Sequence, residues 1–177
     1  MSSWAGLLRG INVGKAKRIA MADLRAIVEQ AGYTKVRTLL NSGNVVFEGP
    51  KDDAARIAAR LEAAIEKGVG FHSRVVVVDG SVMDTVVREQ TLTHADNPSR
   101  LLVAFVQDSD RLKALDELAT RDWGDETMAV GTHAAYVWMP AGVLESPMFE
   151  HVAKVLGHHM TTRNWATVQK LHAMMRG

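Results

Sequence analysis

The sequence contains no cysteine. That excludes disulfides, thiolate nucleophiles and Cys-ligated zinc or iron–sulfur centres, and it suits a reducing compartment. Long hydrophobic runs are missing too. The longest purely apolar stretches are only a few residues, against the ~20 that span a bilayer. The start, "MSSWAGLLRG", has no basic segment followed by an apolar core, so it does not read as a signal peptide. The expected location is therefore the cytoplasm. Charge of one sign is not in excess: the formal net charge of +1 excludes a globally polybasic nucleic-acid binder. Catalytic signatures are absent as well. No carboxylate pair, triad, metal cluster or activated nucleophile stands at a spacing that would justify an enzyme assignment, which leaves that question open. No cofactor is expected. No metal is expected either, since the adjacent His158 and His159 have no HExxH or comparable ligand pattern to support them.

What is present is a chain of 177 residues, sized for one domain or two small ones. At that length folding buries roughly 70% of the unfolded surface, so no covalent staple is required. Charge is unevenly spread. Residues 1–22 hold Arg9, Lys15, Lys17 and Arg18 and no acid. Residues 151–177 hold Lys154, Arg163, Lys170 and Arg176, again without an acid. From Asp108 to Glu126 there are seven acids against three basic residues. Such asymmetry marks either an interaction surface or solvated faces.

The pattern along the chain is β-α-β-β-α-β. Trp4 to Leu8 reads as a buried strand. Leu24, Ile27, Val28 and Ala31 share a helical face that stops at Gly32. "KVRTLLNSGNVVFE" is a hairpin signal around Asn41-Ser42-Gly43-Asn44. "DDAARIAARLEAAIEK" follows as a helix with Asp52 as its expected N-cap, then a strand over residues 73–78. A short helix begins at Ser81, with Asp84 at capping-box spacing. After the polar stretch "TLTHADNPS" the pattern restarts. A strand spans residues 101–106. A helix through Leu112, Leu115 and Leu118 is expected to be capped by Ser109. A hairpin turns at Gly131-Thr132, and a helix opens at Ser146-Pro147. The second copy lacks a recognisable last strand; "TTRNWATVQKLHAMMRG" reads as a helix capped by Thr161 or Thr162. The expected fold is α+β: tandem ferredoxin-like (βαββαβ) units with antiparallel sheets plus a C-terminal helix. The expected domains are residues 1–90 and 91–177.

That topology brings three loops to one end of the first sheet: "RGINVGKAKR", "NSGN" and "KGVGFH". Arg9, Asn12, Lys15, Asn41, Ser42, Asn44 and Lys67 would crowd that rim, with no acid in the three loops. The first loop is no Walker A motif. Gly10 and Gly14 are one residue too close, and Ala16 stands where a hydroxyl is needed. Generic physics remains, in which glycines expose backbone N–H groups to an anion and a helix N-terminus adds partial charge. A structural turn is the alternative. "NSGN" also has turn chemistry of its own. In "TTRNW", Arg163 and Asn164 would fall in the first helical turn, beside N–H groups that suit a carboxylate or phosphate. Trp4, Trp138 and Trp165 read as core, and the basic–Gly–aromatic strand of RNA-recognition modules is absent.

Three of these segments, "LLRGINVG", "RTLLNSGNVVF" and "TTRNWATVQKL", resemble the bacterial family known as domain of unknown function 1697. The resemblance spans essentially the whole chain in the expected order. It implies a two-part α+β fold of ferredoxin-like character and no established activity. The family pattern often has a second glycine after "INVG", where this chain has Lys15. It often has an asparagine after "RNW", where this chain has Ala166. The matching positions are Arg9, Gly10, Asn12, Gly14, Asn41, Ser42, Gly43, Asn44, Thr162, Arg163, Asn164 and Trp165, carried over as hallmarks and not as catalytic residues. The expected function is binding of a small anionic ligand, a nucleotide or phosphorylated metabolite, by Arg9, Gly10, Asn12, Gly14, Lys15, Asn41, Ser42, Gly43, Asn44, Thr162, Arg163 and Asn164. The alternatives are nucleic-acid binding and a protein–protein interaction module using an open sheet face.

Overall fold

A computed structural model describes all residues, Met1–Gly177. It contains eight strands and six α-helices, with the strands in two four-stranded sheets whose pairings are all antiparallel. The chain divides into two compact units. One is Met1–Ser81 with Ala173–Gly177, and the other is Val82–His172. No helix is long and apolar enough to cross a membrane.

In the first unit β1 (Ser2–Leu8) is followed by α1 (Met21–Gln30), β2 (Thr34–Leu39), β3 (Asn44–Gly49), α2 (Ala54–Val69) and β4 (Val75–Asp79), with sheet order β2-β3-β1-β4. Directly paired residues share a face. Trp4 opposes Phe47, Gly6 opposes Val45 and Val77, and Leu8 opposes Val75. This face packs on Leu24 and Val28 of α1 and on Ile57, Leu61 and Ile65 of α2. Each such fully buried large side chain contributes about 1.5–3 kcal/mol. The other face carries Ala5, Leu7, Val46 and Val76, which are also buried. That burial is why β1, β3 and β4 read as continuous apolar runs.

The second unit runs α3 (Gly80–Arg88, starting at the boundary), β5 (Leu101–Val106), a 3-10 segment (Ser109–Leu115), α4 (Asp116–Ala119), β6 (Thr127–Val130), β7 (Ala134–Trp138), α5 (Pro147–Leu156), β8 (Met160–Asn164) and the start of α6 (Trp165–Arg176), whose residues from Ala173 on belong to the first unit. Its sheet order is β6-β7-β5-β8. Leu112, Leu115, Met148, Val152 and Leu156 pack on Ala104, Val106, Ala135 and Val137.

The structure corrects four expectations. The second unit does have a last strand, β8. The polar sequence Met160–Asn164 pairs with β5, with Thr162 opposite Ala104 and Met160 opposite Val106. Its strand character comes from that tertiary pairing and not from apolar alternation. Asp53, not Asp52, caps α2: its extended backbone lets the carboxylate accept from Arg56 N at 3.0 Å. Asp52, one residue too early, instead accepts from Asp53 N, and this bond with Arg56 and Arg60 holds its carboxyl below the ordinary range. Asp108, not Ser109, accepts from Asp110 N, and the segment it starts is mostly 3-10. Neither Thr161 nor Thr162 caps the last helix. Asn164 Oδ1 accepts from Thr167 N at 2.9 Å, and Arg163 with Asn164 belongs to β8 instead of a first helical turn.

Candidate functional site

The loop after β1 is pegged at both ends. Ile11 and Ile19 are buried, while residues 13–18 between them are exposed. Asn12 closes it. Its backbone N–H donates to Lys17 O at 3.1 Å. Its Oδ1 accepts from Ile19 N at 2.9 Å, and its Nδ2 donates to Ile19 O at 2.9 Å. The second Nδ2 hydrogen goes to Asn41 O at 2.7 Å. Asn12 therefore spends its whole amide on protein, and its part in the site is to hold two loops together. Its φ of 55° is a left-handed value that asparagine tolerates better than most residues. Lys15, Lys17 and Arg18 project from the closed loop, and Arg18 Nη1 donates to Gly14 O at 3.3 Å. Gly10 and Gly14, both at φ 69°, make the loop's reversals.

The three loops expected at one end do meet there. Leu8 N donates to Gly43 O at 2.9 Å, and Arg9 N donates to Arg74 O at 2.8 Å. Ser73 Oγ donates to Arg9 O at 2.9 Å. Gly43 sits so close to β1 that a Cβ there would lie 2.7 Å from Leu8 Cβ and 2.9 Å from Ile11 Cδ1. Asn44 is fully buried, and its Nδ2 donates to Leu39 O and to Ser42 Oγ, both at 2.9 Å. The amide of Asn44 thus shapes the turn, leaving Asn41 and Ser42 as its exposed residues. Lys67 lies in the last turn of α2, exposed.

Sequence reasoning missed a carboxylate here. Glu62, from α2, accepts from Val75 N at 2.9 Å and lies 3.4 Å from His72 Nε2 and 3.9 Å from Arg74 Nε. The three loops carry no acid, but a helix supplies one beside the third. Its signal was helical spacing: Glu62 falls beside Leu61 on a helix otherwise read only for its apolar face.

At the other side of the rim is an open cavity of about 300 Å³, lined by Asn12, Arg18, Ile19, Ala20 and Asn41. It lies at the start of α1, whose N-cap position, Ala20, offers no side-chain hydrogen bond. The first N–H groups of that helix lack an intrahelical partner. No acidic residue lines the cavity.

Thr162, Arg163 and Asn164 belong to the other unit. Alternation along β8 puts Arg163 on the face of Val103 and Tyr136, and Thr162 and Asn164 on the face of Ala104 and Leu102. Arg163 is 8% exposed. Its Nη1 donates to Thr161 Oγ1 at 2.9 Å and to Thr162 O at 2.8 Å. Burial pulls its guanidinium down to about 10, still charged at neutral pH. Trp4 and Trp138 are buried as expected, and Trp165 is half-buried. His158 and His159 stack on each other, ring centroids 4.0 Å apart, with no group of three ligating side chains around them.

This architecture recurs in a solved structure. The conserved bacterial protein SP0830 from Streptococcus pneumoniae superposes with a TM-score of 0.83 at 24% identity, covering 100% of this chain and 99% of that one. At that identity the likeness speaks for fold. No curated protein matches the chain. The family described as "protein of unknown function (DUF1697)" matches residues 1–136. With the glycine loop, the NSGN turn and both sheets within or beside that span, the chain belongs to the DUF1697 family.

Proposed function

We propose that the rim of the first unit binds a small anion, a nucleotide or phosphorylated metabolite. The observation that carries this reading is the acid-free cavity of about 300 Å³ at the uncapped start of α1, with Arg18 on its wall. Exposed Lys15 and Lys17 add positive potential from the same loop. The cavity volume falls at the small end of the range for ligand sites. On this reading Asn12, Gly43 and Asn44 act by positioning, Asn41 faces the anion beside Arg18, and Arg9, Gly10, Gly14 and Ser42 belong to the flanking loops. Arg163 donates to Thr161 Oγ1 and to Thr162 O, and Asn164 caps α6, so on this reading Thr162, Arg163 and Asn164 lie outside the anion site. The test is thermal stabilisation by pyrophosphate, ATP and a sugar phosphate at low salt. Wild type is expected to be stabilised as RT ln(1 + [L]/Kd), with affinity falling about tenfold in Arg18→Ala. No stabilisation by any of the three, or an unchanged Arg18→Ala response, removes the reading.

Nucleic-acid binding gains less support. Of the four basic residues in 151–177, Arg163 is buried and Lys154 pairs with Glu150 at 3.7 Å. The interaction-module reading needed an open sheet face, yet Leu7, Val76, Val103 and Phe105 are all fully buried. We further propose that the two units are duplicates of one split ferredoxin-like design. The support is the common strand order, with each unit's first strand between its third and fourth. The repeat boundary then falls between β4 and β5.

A further inference from the structure

A second open cavity, of about 340 Å³, lies in the Val82–His172 unit, lined by Ser99, Arg100, Leu102, Met139, Gly142 and Val143. Its apolar part is built from buried Met139, half-buried Leu102 and Val143, which is 42% exposed. Arg100 enters it from a fixed backbone: its N–H donates to Asn97 O at 2.9 Å and its carbonyl accepts from Met139 N at 3.0 Å. Gly142 has φ 96° and ψ 164°, a conformation essentially reserved for glycine. A Cβ at that position would lie 2.0 Å from Arg100 Nη1. The missing side chain is thus the seat of the guanidinium. That guanidinium makes no ion pair and no side-chain hydrogen bond.

We propose that this cavity binds the carboxylate of a small aliphatic acid. The planar guanidinium matches a carboxylate in bidentate fashion. A single cation lines the cavity, which suits a monoanion better than a polyphosphate. Leu102, Met139 and Val143 supply the surface for an alkyl chain. The site is independent of the rim around Asn12.

The test follows the Met139 methyl signal by NMR during titration with octanoate and, as its uncharged counterpart, 1-octanol. Wild type is expected to bind octanoate about tenfold or more tightly than octanol, and Arg100→Met is expected to erase that preference while still binding octanol. Gly142→Ala, which displaces the guanidinium and retains the charge, is expected to erase it too. Because Arg100 is exposed, Arg100→Met keeps the test valid even where Gly142→Ala misfolds. Equal affinities in wild type, an undiminished preference in Arg100→Met, or no shift at millimolar octanoate overturns the proposal.

Discussion

Asn12 does with one amide what a short ladder does with backbone: it accepts from and donates to the same residue, Ile19, and then reaches a second loop at Asn41. Asn12→Ala removes these bonds and leaves a non-glycine residue at φ 55°. The expected loss, about 2–4 kcal/mol, is read from urea denaturation. Gly43→Ala meets Leu8 and Ile11 at under 3 Å and carries a φ of 90°, so a loss of similar size, about 2–4 kcal/mol, is expected from the same measurement. Arg163 makes a prediction in pH. Its folded pKa, about 10, lies below its ordinary value because burial disfavours the charge. Below about 10 both folded and unfolded chains hold the proton, and the cost of burial is constant. Above it the unfolded chain binds more protons, so this group's contribution to stability rises with pH. Compared with Arg163→Met, wild type should gain stability as pH rises above about 10. A flat difference would mean that the guanidinium does not titrate there.

Among the elements, the apolar ones were readable and the polar ones were not. Strands β1, β4 and β5 announce themselves because burial on both faces demands continuous hydrophobic runs. Strand β8 does not, since Thr161, Thr162, Arg163 and Asn164 carry no alternating apolar signal and owe their extension to pairing with β5. The same limit misplaced the caps. Two adjacent acids, Asp52 and Asp53, look alike in sequence, and only the backbone at ψ 126° selects Asp53. Cap mutations separate these readings. Asp53→Ala and Asn164→Ala should each cost about 1 kcal/mol, and Asp52→Ala should cost clearly less, all by thermal or urea unfolding. Equal costs at Asp52 and Asp53 would reassign the cap. In the candidate site, the meeting of three loops was legible because strand order dictates which loops share an end. The duties of Asn12 and Asn44 were not, since a side chain's partners are chosen by tertiary approach.

At the scale of the molecule, the chain leaves its first unit after Ser81 and returns to it at Ala173. The returning end is fastened by Arg37 Nη2, which donates to Met174 O at 2.8 Å. Deleting residues 173–177 is therefore expected to loosen β2, far away in sequence, and faster amide exchange at Arg37 and Thr38 would register it. Unchanged exchange there would show that the tail is not needed. A fragment ending at Ser81 lacks the same fastening, so residues 1–81 plus a grafted tail make the better isolated unit. The loop that Asn12 closes has a kinetic consequence. A ring already tied shut has little entropy left to lose on binding. If the rim binds an anion as proposed, the ligand meets finished walls at the Arg18 cavity, and no closing step stands between encounter and complex. Association should then be a single concentration-dependent phase in stopped flow, slowed by added salt.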